Sequence, residues 1–172
     1  MAILPIITVP DSRLKQISQP VDSVDDALRR LLDDMLETMY AAPGIGLAAV
    51  QVGVAKRVLV VDASGKEEPA APLFLINPEL VWTGDETTRC EEGCLSLPEQ
   101  YAEVERFAEA RIRYIDYDGE VQELLATGLL STCIQHEMDH LEGILFIDHL
   151  SSIKRNMILR KLIKARKLEA VG

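Results

Sequence analysis

Apolar residues recur along the chain in two periods, and the change from one to the other marks where helix gives way to strand. From Ser23 onward, Ala27, Leu31, Leu32, Met35, Leu36 and Met39 return every three or four residues, with Asp25 and Asp26 ahead of them where a helix N-terminus favours anions. The spacing predicts an amphipathic helix over 24–41, ended by Ala42-Pro43-Gly44. Before it, Asp11 is placed to cap a short turn through Leu14 and Ile17 that Pro20 closes. Beyond it the period vanishes: Gly44–Gly53 holds three glycines among small side chains, a connector by pattern, and one that lets backbone approach a ligand. Residues 57–63, 72–80, 81–89, 101–107 and 110–117 read as strands, Asp118-Gly119 as a hairpin turn, and 120–126 as the returning strand. Gly93 and Pro98 leave Cys94 in an irregular, positioned segment.

At Gly128 the helical period returns. Leu129, Leu130, Cys133, Ile134, Met138 and Leu141 give a helix that is apolar through its first two turns, hence central and buried, and Gly143 ends it. Ile144 to Ile147 read as a short extended piece, and Ser151 or Ser152 caps a last helix through Leu168, held to the body by Ile153, Met157, Leu162 and Ile163. With helices at both ends and strands between, the fold class is α+β: antiparallel β-sheets packed around a central buried helix, without the alternating βαβ of a parallel sheet. No internal repeat interrupts the 172 residues, and a hydrophobic content of 48% suits one domain spanning 1–172.

Composition narrows the setting. No apolar run reaches the length of a bilayer span and the N-terminus lacks a secretory signal, so a cytoplasmic protein with no membrane partner is expected. Three cysteines are too few for a disulfide framework in a chain this long, which leaves thiols available to metals. The net charge of −10 argues against broad nucleic-acid binding, and no sequence-specific nucleic-acid partner is expected. Residues 151–172, however, hold seven basic side chains against Glu169 alone, a local net of +6, which leaves −16 on residues 1–150.

The strongest chemical signal is Gln135–Gly143, Gln-His-Glu-Met-Asp-His-Leu-Glu-Gly. On a helix, His136 and His140 lie on one face and can meet one metal ion, while Glu137 is turned towards the ion's open side, the place of a general base. A catalytic zinc-type site needs a third protein ligand. His149 lies beyond the end of the helix, Cys133 falls on its apolar face, and Cys90 has charged neighbours; Cys94, between Gly93 and Pro98, is the remaining candidate. Glu92 and Asp139 are placed either to orient the imidazoles or to serve as ordinary solvated carboxylates.

Three segments together, Gly44–Gln51 (Gly-Ile-Gly-Leu-Ala-Ala-Val-Gln), Glu92–Pro98 (Glu-Gly-Cys-Leu-Ser-Leu-Pro) and Gln135–Gly143, resemble the signature segments of the peptide deformylase family, in the same order. The resemblance extends over essentially the whole chain. It implies that Cys94, His136 and His140 bind the metal and that Glu137 is the catalytic acid and base. It implies an oxyanion hole from Gln51 and the Leu95 N–H, peptide contacts from Gly46, and a methionine pocket drawing on Ile45, Leu129 and Cys133. The cofactor it implies is one divalent ion, Fe2+, with Zn2+, Ni2+ or Co2+ able to substitute. The partners it implies are formyl-methionyl nascent peptides and, through the basic C-terminal helix, the ribosome surface. Two positions depart from the family: Tyr101, where many members carry an arginine, and Thr132, where an aliphatic residue is common. A small metallopeptidase shares the His-Glu-x-x-His logic, and an inactive metal-binding module shares the ligands; the retained Glu137 and Gln51 count against the second.

Overall fold

The structure, a computed structural model, describes residues 2–171. A 3-10 turn at Ser12–Lys15 leads to helix α1 (Asp26–Ala41), strand β1 (Gly46–Ala48), a 3-10 turn at Ala49–Val52, and strands β2 (Val58–Val61) and β3 (Leu73–Thr83). Strands β4 (Thr87–Cys94), β5 (Leu97–Phe107), β6 (Glu109–Ile115) and β7 (Val121–Thr127) follow. Helix α2 (Gly128–Leu141), a 3-10 turn at Phe146–His149 and helix α3 (Ser152–Val171) complete the chain. Five strands form one antiparallel sheet in the order β1-β2-β3-β6-β7, and β4-β5 form a separate hairpin. The α+β expectation, with antiparallel sheets around a buried central helix, is met.

Hydrophobic burial explains the layering. One cluster joins Leu59, Val61 and Leu75 of the sheet to Ile112 and Ala126 and to Cys133, Ile134 and Leu141 of α2, so the helix lies on the sheet. A second packs Leu28, Leu32, Met35 and Met39 of α1 against Leu47, Val58 and Val60. A third joins Leu97 and Val104 of the hairpin to Phe146, Ile158 and Leu162. Helix α2 therefore lies on the sheet, and polar contacts from Glu92 and Arg106 to His136 and Asp139 tie its other side to the hairpin. Gly143 ends it at φ +73°, where a side chain would be strained and a Cβ would run into the Lys15 carbonyl.

Several boundaries differ from the sequence expectation. The cap of α1 is Asp25, which accepts from Leu28 N at 2.8 Å, so the helix begins at Asp26. Residues 81–89 are not one strand: β3 runs on to Thr83 through two register shifts, and a new strand starts at Thr87. Cys94 ends a regular strand with a bulge between Gly93 and Cys94, where an irregular segment was expected. The Gly44–Gly53 connector contains a strand and a 3-10 turn, because Gly46–Ala48 finds a partner in β2. The extended piece expected at 144–147 is cut short: Leu145 has extended backbone, and Phe146 begins a 3-10 turn whose Asp148 accepts from Leu145 N. On α3 the packed residues are Ile158, Leu162 and half-buried Leu159, while Ile153, Met157 and Ile163 are exposed. The helix carries apolar side chains on more than one face, so the periodicity did not single out the buried one.

Candidate active site and metal centre

Helix α2 delivers both histidines and Glu137 to one place. His136, Glu137 and His140 are all buried, and the turn spacing of i and i+4 brings the two imidazoles to a centroid separation of 5.1 Å. The end of β4 brings in Cys94. Its Sγ lies 3.3 Å from His140 Nε2, and one potential ligand atom from each of Cys94, His136 and His140 falls within 4.8 Å of the others. Tetrahedral bonds of ordinary zinc-site length put a sulfur and a nitrogen ligand about 3.6 Å apart. The donors therefore lie at the spacing a shared ion requires, and one thiolate with two imidazoles suits a transition-metal ion.

Surrounding charge also suits a cation. Burial alone would lower the His136 pKa, yet hydrogen bonds to Cys94 and Glu92 hold it well above its ordinary value, so the pocket favours positive charge between His136 and the sulfur. His140 is held well below its ordinary value by burial and by His136, and thus stays neutral as a ligand must. Burial pushes the Glu137 carboxyl up to about 7, against the pull of His136. Glu137 Oε1 lies 3.7 Å from His136 Nε2, and its Oε2 is buried with no hydrogen-bond partner among the described residues. A buried carboxylate oxygen left unpaired beside a metal-type donor set is poised to accept a proton.

A cavity of about 690 Å³ opens onto these groups. Cys94, Leu95, His136 and Glu137 line it, as do Gly46, Ile45, Leu129, Thr132 and Cys133. Leu129 is 54% exposed and forms the rim, so the first turn of α2 is less buried than its apolar pattern suggested. Cys133 is buried with its Sγ 3.5 Å from the Ile45 carbonyl. At Gly46 a Cβ would stand 2.9 Å from both Cys133 Sγ and Glu137 Cγ, so only glycine lets β1 approach the carboxylate this closely. Gln51 is fully buried and is not part of the cavity wall. Its Oε1 accepts from Ala48 N, and its Nε2 donates to Ser96 Oγ at 3.0 Å and towards Cys94 Sγ at 3.4 Å.

Of the two carboxylates left open between orienting and solvated roles, they divide. Glu92 Oε1 lies 2.9 Å from His136 Nδ1, which fixes that ring with Nε2 facing the cavity. Asp139 points away from both imidazoles, to Arg106 and His149. Arg106 was not singled out in the sequence, although Ala102, Val104 and Arg106 share the inward parity of β5. Its side chain is 5% exposed and bonds both oxygens of Glu92 at 2.9 Å and Asp139 at 2.6 Å. Those bonds overcome burial and hold Glu92 down at about 2, so it is charged at any ordinary pH.

Residues 3–156 match the family model described as polypeptide deformylase. The chain belongs to that family. It is 59% identical over 167 residues to a peptide deformylase of Phenylobacterium zucineum, covering 97% of this chain and 99% of that protein. The crystal structure of peptide deformylase from Ehrlichia chaffeensis superposes with a TM-score of 0.94 at 40% identity, covering 98% of this chain and 99% of the other. A second Ehrlichia chaffeensis structure, in complex with actinonin, gives 0.92 at 43% identity, covering 96% and 98%. Among the described residues no helix is long and apolar enough to cross a membrane.

Proposed function

We propose that residues 1–172 form a single catalytic unit in which Cys94, His136 and His140 hold one divalent ion, Fe2+ in the cell, and Glu137 moves the protons. The reaction is that of the family: hydrolysis of the formyl amide at the N-terminal methionine of nascent polypeptides, with release of formate. The observation that carries this reading is the unpaired Glu137 Oε2 beside three convergent ligand atoms at a cavity wall. The ion, when bound, supplies Lewis-acid polarisation and a water of lowered pKa.

The remaining steps belong to the chain. Glu137 takes the proton of the attacking water and returns it to the departing amine, and a carboxyl near pH 7 is matched to both transfers. The Leu95 N–H, at the cavity wall, faces the developing oxyanion, assisted by the Gln51 amide once it turns from Ser96. Gly46 presents backbone to the peptide, and Ile45, Leu129 and Cys133 surround the methionine side chain. Thr132 gives that pocket one hydroxyl. The protein works in the cytoplasm, beside ribosomes reached through α3.

A formyl-methionyl tripeptide assayed beside its acetylated twin tests the activity, with metal content measured on protein purified without oxygen. Formate release from the first and no cleavage of the second is the expected result. Cleavage within both peptides would replace the reading with a metallopeptidase.

A further inference from the structure

Tyr101 belongs to two hollows at once. On one side it lines the cavity that holds Cys94, His136 and Glu137; on the other it lines a groove of about 310 Å³ between the β4-β5 hairpin and α3. Its ring is seated on Gly93, where a Cβ would come within 2.6 Å of it, so the strand that ends in Cys94 fixes its place. At 63% exposure Tyr101 is a saddle between the hollows, and a chain leaving the cavity can cross its face.

The groove beyond the saddle has an apolar floor that includes Ile158 and Leu150, and a charged rim of Arg89, Lys154 and Lys161 with a single acid, Glu103. That local excess of two positive charges stands on a body of strongly negative net charge. Lys154 and Lys161 lie seven residues apart on one face of α3, about 10 Å along the axis. An extended peptide covers that distance in about three residues. Arg89 is only loosely engaged, 3.9 Å from Glu105, and can turn to a ligand. The cavity itself carries Glu91 and Glu99, which disfavour acidic residues close to the reacting end. Charge preference should therefore change sign along the substrate.

We propose that this groove continues the substrate cleft, taking residues of the formyl peptide downstream of those in the cavity and selecting acidic side chains there. The inference rests on the deformylase reading of the site, since the occupant is that reaction's own substrate. Continuity through Tyr101 identifies the occupant, and the basic rim its chemistry.

The test uses the metal-loaded full chain, a formyl-methionyl dipeptide, and longer formyl-methionyl peptides in which a pair of aspartates or a pair of lysines is stepped along positions three to seven. At low salt the wild-type protein should show kcat/KM three- to tenfold higher for the aspartate pair at one downstream register, through KM with kcat unchanged. The preference should shrink as salt screens it. Arg89→Glu and Lys154→Glu, each on the exposed rim, should level or invert it and leave dipeptide hydrolysis as it was. A preference absent from the wild type, or untouched by both variants, overturns the proposal while dipeptide turnover keeps the deformylase reading intact. No turnover of the dipeptide sinks both. A concentration-dependent dimer lost in Lys154→Glu assigns the groove to a second copy and overturns it too.

Discussion

Glu137 is the residue on which the proton-transfer argument turns, because it alone at the donor cluster is a buried carboxylate with an unpaired oxygen. Glu137→Gln keeps the shape and removes the base, so we expect metal content unchanged and kcat lower by at least ~10²-fold. Near-normal formate release by that variant would remove the base assignment. Cys94→Ser tests the other half, since a hydroxyl is a poor replacement for a thiolate: its metal content after dialysis should fall well below the wild type's. Gly46→Ala separates geometry from chemistry. A Cβ there stands 2.9 Å from Glu137 Cγ, so the carboxylate must move, and kcat should fall more than about tenfold with metal retained. At this scale the sequence was highly legible where neighbours in space are neighbours in sequence. His136, Glu137 and His140 share a helix turn, so their spacing alone brings them together. Arg106 was hidden because its partners, Glu92 and Asp139, come from β4 and α2, and no local pattern connects them to β5.

Between elements, the buried Arg106 guanidinium fastens the hairpin to α2. Replacing it by leucine leaves Glu92 buried and uncompensated, which should cost about 3–5 kcal/mol in denaturant unfolding. Metal affinity should fall about 10–100-fold, because Glu92 no longer holds the His136 ring. Equal metal affinity in a folded Arg106→Leu protein would show that the Glu92–His136 contact does not tune the site. Asp62 joins α1 to the loop after β2. Burial by itself would raise its pKa, but the side chains of Ser64 and Tyr40 and the backbone of Ser64 and Ala71 hydrogen-bond it and hold it below the ordinary 3.8. The sign follows: a depressed folded pKa gives stabilisation that is complete above the unfolded value and is lost as pH falls through the folded one. Asp62→Asn should therefore be about 1–3 kcal/mol less stable at pH 7, with the gap closing below pH ~4. A gap that persists at low pH would mean that the charge is irrelevant. Elements with one clean apolar face, such as α1, were legible in sequence. Cys94 was misplaced into an irregular segment because Gly93 and Pro98 look like breakers, while hairpin pairing to Tyr101 and Leu97 keeps the strand regular up to the bulge.

For the whole molecule, the decisive feature is a basic helix on an acidic body, and the structure changes which of its charges are available. Ile158 and Leu162 hold α3 down, and Arg166 donates to the Thr8 carbonyl at 3.2 Å, so that arginine is partly engaged with the body. Arg160, Lys164 and Lys167 fall on the opposite face by helical spacing, next to exposed Ile153 and Met157. A surface rich in RNA phosphate repels the acidic body and attracts that face, which would orient the catalytic cavity as well as recruit it. Truncating α3 would strip Ile158 and Leu162 from the core cluster they share with Leu97 and Phe146, so loss of binding in a deletion would report unfolding. Charge removal avoids that confusion. Changing Arg160, Lys164 and Lys167 to glutamine should reduce co-sedimentation with ribosomes at low salt and flatten its dependence on log salt by about two to three units, as expected for three lost phosphate contacts. Hydrolysis of a short formyl peptide should stay within about twofold, because none of the three lines the cavity. If the variant sediments with ribosomes as the wild type does at every salt concentration, the outer face of α3 has no docking role and its charge serves only to offset the acidic body.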